Sequence, residues 1–248
     1  MSRFFHVGLI VTGKGEAEFL PHLLRALTTG RRCTFSVIAR VGQLSPFSSP
    51  RKKLKVTGTS RDILPRDATT IGGPARHHLQ EKGDDALVIL IDDLEHDRRG
   101  ARQAIFQRYR EALDTMLGPH YTRASVHFLV NMLEAYYFAD TRPLRDLHDL
   151  HIADLDGDVE SIRHPKNDLK ALLRGFREVD DGRAIVARLD VGHILGRHDA
   201  CASLRVLFAW CLKKFGVPPG ARFALTAGIY DIVTGRQLDD HMRSSASR

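Results

Sequence analysis

Several features that define large classes of protein are missing from this chain. No apolar run reaches the roughly 18 residues that a membrane-spanning helix needs, which predicts a protein without a transmembrane segment. Cysteine is scarce: Cys33, Cys201 and Cys211 show no CxxC spacing, and such thiols are typical of a reducing compartment. The N-terminal segment also lacks the cleavage site of a secretory signal. We therefore expect a soluble, cytoplasmic protein.

Familiar catalytic signatures are absent as well. There is no Gly-x-Ser-x-Gly elbow and no Cys/His nucleophile pattern. Gly13–Glu16 (GKGE) lacks the frame and the Lys-Ser/Thr pair of a Walker A loop, which argues against nucleoside triphosphate hydrolysis by this chain. Asp154–Asp158 (DLDGD) has its glycine too early for a calcium loop, and we interpret it as a turn. His193 and His198 have no third metal ligand at a useful spacing.

What is present is the composition of an ordinary globular protein with a basic balance. The 248 residues are 43% hydrophobic and 27% charged, and the net charge of +7 gives a weak attraction for phosphates. Basic residues gather in RKKLK, inside the aperiodic stretch 42–65, which we predict to be a long loop. Arg51, Lys52, Lys53 and Lys55 are therefore candidate nucleic-acid contacts, and a solvated surface loop is the alternative.

The spacing of apolar residues predicts an α/β fold. Short runs rich in β formers predict strands at Phe4–Val11, Cys33–Val41, Ala86–Ile91 and Ser125–Val130. Apolar residues at helical spacing lie between these runs and through the C-terminal part of the chain. Such alternation predicts a mostly parallel sheet flanked by helices. We expect an α/β core at residues 1–140 and a helical region at residues 141–248, packed on or beside the core.

Acidic residues concentrate where the clearest predicted strand ends. Ala86–Ile91 runs directly into a segment of six residues that contains Asp92, Asp93, Glu95 and Asp97. In open parallel sheets, ligands bind beyond the carboxyl ends of the strands. Carboxylates this close repel one another unless a cation or bases compensate, and Mg²⁺ takes oxygen ligands. The segment predicts either a metal site or a solvated acidic loop at the start of a helix.

Two further acids follow other predicted strands. Glu16 comes shortly after the first strand, where an acid in the first turn of a helix has a simple explanation in the helix dipole. Glu134 follows the fourth strand and stands among apolar residues. Because burying a carboxylate without a partner is costly, Glu134 is harder to explain by structure alone.

Four segments together resemble a Toprim-like family of bacterial proteins, the domain-of-unknown-function family 4276. Its members are similar to the nuclease domain of overcoming-lysogenization-defect proteins. The segments are VTGKGEAEFLPHLL, VILIDDLEHD, FLVNMLEAYYFAD and HPKNDLKALL, the last followed by FREVDDGRAIVARLDVGHIL. The likeness extends from about residue 5 to about residue 215 and depends on the order and spacing of the motifs.

The resemblance implies a Toprim-like, Rossmann-like core that binds one or two Mg²⁺ (or Mn²⁺) ions and cleaves a phosphodiester of DNA or RNA. By position it implies Glu16, Asp93, Glu95 and Glu134 as metal ligands and catalytic residues, with Asp92 as a register alternative to Asp93. Glu134 is either a direct ligand or an acid that supports the ligands. Glu95 replaces the second Asp of the family's Asp-x-Asp motif and still offers a carboxylate oxygen.

The resemblance also assigns a role to Lys166, and it is incomplete at Thr12. Lys166 matches the family's Pro-Lys helix and would neutralise charge at the scissile phosphate. Thr12 stands where the family has its first Glu, and a hydroxyl is a poor metal ligand. A neighbour such as Glu16 or Glu18 would have to replace that ligand, unless one metal site is lost.

Two hypotheses from different classes follow. The first is a metal-dependent endonuclease of bacterial anti-phage defence that works with an ABC-type ATPase, because members of the family often stand beside such an ATPase. The second is a non-catalytic docking or regulatory subunit with the same fold and a degenerate metal site. A hydrolase or phosphotransferase of small phosphate substrates would use the same metal chemistry.

Overall fold

The structure is a computed structural model that describes residues 3–28, 32–43, 54–55, 62–63, 65–131, 133–197 and 200–217. The strands are β1 (Phe5–Val11), β2 (Cys33–Arg40), β3 (Leu54–Lys55), β4 (Asp62–Ile63), β5 (Ala86–Leu94) and β6 (Ala124–Val130). The helices are α1 (Lys14–Leu23), α2 (Arg25–Thr28), α3 (Pro65–Asp67), α4 (Gly73–Lys82), α5 (Arg102–Leu117), α6 (Arg142–His148), α7 (Pro165–Leu172), α8 (Asp180–Val186), α9 (Val191–Ile194) and α10 (Ala202–Lys214).

Short turns of other helix types connect these elements. A π-helical turn at Ala68–Gly72 precedes α4, and 3₁₀ turns lie at Gly83–Asp85, His96–Ala101, Gly118–Arg123, Leu133–Phe138 and Val159–Ser161. None of the helices in the described ranges is both long enough and apolar enough to cross a membrane.

Four strands form one parallel sheet in the order β2-β1-β5-β6. The two central strands are almost entirely buried, because each is paired on both edges and covered by helices on both faces. The predicted α/β class, with a parallel sheet flanked by helices and a helical C-terminal region, is confirmed. The architecture is Rossmann-like, with neighbouring strands of the sheet running in the same direction.

The predicted basic loop contains a small piece of secondary structure. β3 and β4 pair as two short antiparallel strands within the stretch 42–65. Arg51, Lys52 and Lys53 lie outside the described residues, and of Lys55 only the backbone in β3 is described. Their predicted contact with nucleic acid therefore stays a prediction.

Two cores lie on opposite faces of the sheet. Successive side chains of a strand point to opposite faces. Odd-numbered residues of β5 from Leu87 to Ile91 lie in a core formed with α1 and with the helices that follow β6. Even-numbered residues from Ala86 to Leu90 lie in a second core with α4 and α5. Trp210 of α10 belongs to the first core, so the helical C-terminal region covers one face of the sheet.

β5 is longer than its apolar sequence predicts. The predicted strand ends at Ile91, whereas pairing with β6 continues to Leu94. Asp92 and Asp93 are therefore strand residues rather than loop residues, and their side chains point to opposite faces of the sheet. Apolar periodicity does not predict this extension, because charged residues in a buried strand need partners from elsewhere in the fold.

His127 on β6 is a buried, uncharged histidine. It is 2% exposed, lies 6.0 Å from Trp210 between ring centroids, and its Nε2 has no hydrogen-bond partner in the described structure. Burial, with a smaller contribution from Arg110, lowers the pKa of His127 from 6.5 to about 3. Between these values the unfolded chain binds a proton that the folded chain excludes, so stability falls as the pH falls.

We expect His127 to reduce the free energy of unfolding by about 2 kcal/mol between pH 7.5 and pH 5, since pH 5 lies about 1.5 units below its unfolded pKa. Between pH 7.5 and pH 5, the free energy of unfolding of His127→Leu should therefore fall by about 2 kcal/mol less than that of the parent. Urea unfolding at the two pH values measures it, and His120→Leu, at an exposed histidine, is the matched control. The same pH dependence in His127→Leu and in the parent would contradict the prediction.

Candidate metal centre at the carboxyl edge of the sheet

The carboxyl ends of β1, β5 and β6 lie side by side, and the segments after them bring three predicted acids together. These are Glu16 in α1, Asp93 in β5 and Glu134 in the 3₁₀ turn after β6, which we call the acidic group. Burial raises the pKa of Asp93 well above its usual range, and repulsion from Glu16, Glu95 and Glu134 raises it further. The acids come from three well-separated segments of the sequence and are close enough to repel one another.

Asp93 has an unusual environment for a carboxylate. Asp93 is 4% exposed, and its Oδ1 has no hydrogen-bond partner in the described part of the chain. Arg98 donates from Nη1 to the backbone oxygen of Asp93 at 2.7 Å and does not bond to its carboxylate. A buried oxygen without a donor is costly and needs an explanation, although buried atoms outside the acidic group, such as Thr115 Oγ1 and His127 Nε2, also lack a partner in the described structure.

Glu16 reaches the acidic group because its side chain folds back over the start of α1. It is the third residue of the helix, and a Cβ on Gly13 would lie only 1.8 Å from its Oε2. Only glycine at position 13 leaves room for this arrangement. The pKa of Glu16 is raised, mainly because the side chain is buried. The charge of Asp92 raises this pKa further, and a hydrogen bond from the backbone N–H of Glu16 itself partly offsets the rise.

Glu134 and Lys166 form the opposite side of the group. Glu134 is 7% exposed, and burial is the main reason that its pKa is raised. Burial lowers the pKa of Lys166, but its hydrogen bond to Glu178 and the fields of Glu134 and Asp93 outweigh this and raise the pKa. The Nζ of Lys166 lies 2.6 Å from Oε1 of Glu178. Lys166 is therefore a permanent positive charge beside the acidic group.

Asp92 faces the other side of the sheet, where its carboxylate is fully engaged. Arg98 donates to Oδ1 at 3.0 Å and to Oδ2 at 2.8 Å. The hydroxyl of Tyr109 donates to Oδ2 at 2.8 Å, and that of Thr12 donates to Oδ1 at 2.9 Å. Of the two registers left open by the sequence, the geometry therefore favours Asp93 as a ligand, because Asp92 has no oxygen to spare.

Thr12 belongs to this hydrogen-bonded network and not to the acidic group. Besides donating to Asp92, its Oγ1 lies 3.4 Å from the backbone N–H of Asp93. Glu18, one of the two possible replacements for the missing family Glu, pairs with Arg183 of α8. Glu16 is then the acid of this segment that lies with Asp93.

A cavity of about 270 Å³ opens next to the acidic group. Its lining divides by charge: Glu95, His96 and Asp97 follow β5, Asn131 follows β6, and Arg163, His164, Lys166 and Asn167 come from the start of α7. The predicted residues Glu95 and Lys166 thus lie on opposite sides of one space. Glu95 is exposed to solvent, and its negative charge repels that of Asp93.

Asn131 is a residue of this site that the sequence analysis did not single out. Its backbone has a φ of 60°, in the left-handed region that asparagine tolerates better than most residues. Its Nδ2 donates to the backbone oxygens of Glu160 and Ile162, which fixes the orientation of the amide. Its Oδ1 has no partner in the described structure, although the residue is 1% exposed. An asparagine directly after a strand, inside one of the family-like segments, was the available signal.

A separate group of possible ligands lies among the C-terminal helices. Asp140, Asp154 and His193 offer ligand atoms that all lie within 4.8 Å of one another. Their atoms are engaged within the protein: Arg142 donates to both oxygens of Asp140, and Asp154 accepts from Thr141 and contacts His193 Nε2 at 2.6 Å. The tertiary structure thus supplies His193 with two neighbours that sequence spacing did not predict. The arrangement is that of a hydrogen-bonded junction.

The ligand atoms of the acidic group are of the type that an oxygen-ligated cation requires, but the distances between them are longer than such a cation requires. All of its donors are carboxylate oxygens, the ligands that Mg²⁺ prefers, and Asp93 Oδ1 lacks any other partner. Among the described residues, however, these acids do not form a triple with ligand atoms within 4.8 Å of one another. Side-chain rotation would be needed for all three to contact a single ion.

No family model, curated protein or solved structure matches this chain. The fold and the site together define an α/β protein with a Rossmann-like parallel sheet and an acidic group at its carboxyl edge. Membership of the Toprim-like family stays a prediction from the sequence motifs.

We expect Asp92→Asn and Asp93→Asn to change stability in opposite directions at pH 8. Asp92→Asn leaves the partly buried guanidinium of Arg98 without its carboxylate and should lower the free energy of unfolding by about 2 kcal/mol. Asp93→Asn removes a charge that burial and repulsion destabilise, and should raise it by about 1 kcal/mol.

Urea unfolding in EDTA measures both variants. Because the pKa of Asp93 is raised in the folded state, the gain should shrink as the pH falls toward 3.8, where the unfolded chain also becomes protonated. Destabilisation by both substitutions would mean that Asp93 has a stabilising partner after all.

Proposed function

We propose that this chain is a Mg²⁺-dependent phosphodiester hydrolase, a Toprim-type nuclease acting on DNA or RNA. The observation that supports the proposal most directly is Asp93, a buried carboxylate with an unpartnered oxygen in the repulsive field of Glu16 and Glu134. Such perturbed groups concentrate at functional sites, because a structural role would select for partners. The family resemblance adds the expectation of a role in anti-phage defence with an ABC-type ATPase as partner.

Glu16, Asp93 and Glu134 are the residues that would hold the metal. Bound there, Mg²⁺ would polarise a phosphoryl oxygen and lower the pKa of a bound water. Lys166 keeps its proton at neutral pH and would offset negative charge that develops on the phosphate in the transition state. Glu95, which follows β5 and lines the cavity, would orient a water or a second ion.

A non-catalytic docking subunit is the second candidate, and Thr12 favours it. The residue offers a hydroxyl where the family has a Glu, and that hydroxyl is engaged by Asp92 on the far side of the strand. The acidic group therefore contains one carboxylate fewer than the family pattern. Loss of that ligand would leave the fold intact, because Thr12 stabilises the network around Asp92.

We expect the parent to bind Mg²⁺ or Mn²⁺ in calorimetry at millimolar concentration or below, and Asp93→Asn and Glu134→Gln to weaken binding by about tenfold or more. Gly13→Ala should weaken it too, because its Cβ displaces Glu16 without removing a charge. Glu81→Gln, an exposed acid of α4, is the control and should bind as the parent does. Unchanged heats in Asp93→Asn would exclude the acidic group as the metal site.

Cleavage is measured on supercoiled plasmid and on single-stranded RNA with the same proteins. We expect metal-dependent cleavage by the parent and a loss of about a hundredfold or more in Asp93→Asn, since the metal is required for the chemistry. Absence of metal binding by the parent would favour the docking subunit, whereas metal binding without cleavage of either substrate would indicate that the ATPase partner is required. Activity on nucleotides that nucleic acid does not inhibit would instead indicate a hydrolase of small phosphates.

A further inference from the structure

The cavity beside the acidic group has a cationic side, of which the proposed function uses only Lys166. Arg163, His164, Lys166 and Asn167 line it, and we call these four residues the basic wall. They come from one short segment, the last residues before α7 and its first turn. The ring of His164 lies 6.5 Å from that of His96 between centroids, so the wall faces the β5 side across a narrow opening.

Arg163 is an exposed cation of the wall without an acceptor in the described part of the protein, so its donors are available to a ligand. The other cations near the carboxyl edge have acceptors within the protein: Arg98 pairs with Asp92, Arg99 donates to a backbone oxygen, and Lys166 pairs with Glu178. Arg163 makes no hydrogen bond or ion pair with any residue in the described ranges, although it lines the cavity. A guanidinium presents donors in a fork that matches phosphate oxygens.

The wall is held in place from two sides. Asn131 donates to the backbone oxygens of Glu160 and Ile162, and Arg99 donates to that of Glu160 at 2.6 Å. These bonds tie the segment that leads to Arg163 to the end of β6 and to the turn after β5. A fixed backbone at the base of Arg163 reduces the conformational entropy that the segment loses when it binds an anion, although the exposed side chain itself must still be ordered.

A second observation points to a ligand in the same cavity. Asn131 lines it with an Oδ1 that is buried and has no partner in the described structure. A backbone phosphate diester has no hydrogen-bond donor, so this oxygen would be satisfied by a sugar hydroxyl or base N–H of the same strand, or by a cation, and not by the phosphate itself. The cavity therefore offers donors on one side and an acceptor at the end of β6.

We propose that the basic wall binds a backbone phosphate of a nucleic-acid strand, with Arg163 as its principal contact. The inference rests on the proposed function, because the strand it holds is the one the metal site would cleave. A phosphate placed there would lie between the basic wall and the acids that follow β5. The wall would thus set which phosphodiester of the strand approaches the metal.

The test measures binding without metal, so that it does not depend on catalysis. The probe is a fluorescein-labelled single-stranded oligonucleotide, followed by anisotropy in EDTA from 50 mM to 1 M salt. Arg163→Ala is compared with Arg163→Lys and with Arg76→Ala. Arg76 is a matched control, because it is exposed and lines a different cavity, at the amino ends of β5 and β6.

We expect Arg163→Ala to reduce the slope of log affinity against log salt by about 0.7, the value of one phosphate contact on a single strand. Because of this difference in slope, the ratio of parent affinity to Arg163→Ala affinity should be about eightfold larger at 50 mM salt than at 1 M salt. Arg163→Lys should lose less, and Arg76→Ala should match the parent. Inorganic phosphate at equal ionic strength should compete with the oligonucleotide in the parent and not in Arg163→Ala.

Two results would overturn the proposal. One is an Arg163→Ala slope and affinity equal to those of Arg76→Ala. The other is binding of a nucleoside monophosphate by a parent that does not bind the oligonucleotide, which would assign the wall to a small phosphate ligand. Calorimetry with Mg²⁺ on Arg163→Ala, expected to equal the parent, distinguishes a failure of the basic wall from a failure of the metal site.

Discussion

The buried ion pair between Asp92 and Arg98 determines the geometry on which the rest of the site depends. With Tyr109 and Thr12 it satisfies a charged residue inside the central strand, and so allows β5 to continue past its apolar part. Because strand residues alternate, fixing Asp92 toward α5 directs Asp93 to the opposite face. There Asp93 meets Glu16 and the other acids. The ion-paired Asp92 thereby fixes the position of Asp93, whose carboxylate has no such partner.

The two sides of the sheet show how a fold separates stability from function. On the α5 side the carboxylate of Asp92 is neutralised and hydrogen-bonded, as a structural charge must be. On the other side Asp93 and Glu134 have raised pKa values, mainly because they are buried. The protein tolerates this free-energy cost at one edge of a sheet whose cores are otherwise apolar. The metal ion proposed for this group would offset that cost.

The connection between the acidic group and the cavity depends on residues far apart in sequence. Asn131 joins the end of β6 to the segment that precedes α7, and this contact brings Arg163 and Lys166 opposite Glu95. Neither the periodicity of β6 nor the composition of the α7 segment predicts that contact. It arises from the left-handed backbone of a single asparagine, whose amide reaches two carbonyl groups more than two dozen positions away.

The sequence by itself determined the class of fold and the identity of the acids. Apolar runs such as Ala86–Ile91 predict buried parallel strands because burial on both faces requires them, and acids at strand ends predict a site at the carboxyl edge. Only the tertiary structure decided which acid faces Glu16, how far β5 extends and where Asn131 and Arg163 lie. These depend on partners that are distant in the chain, and local pattern contains no information about which distant group will satisfy a charge.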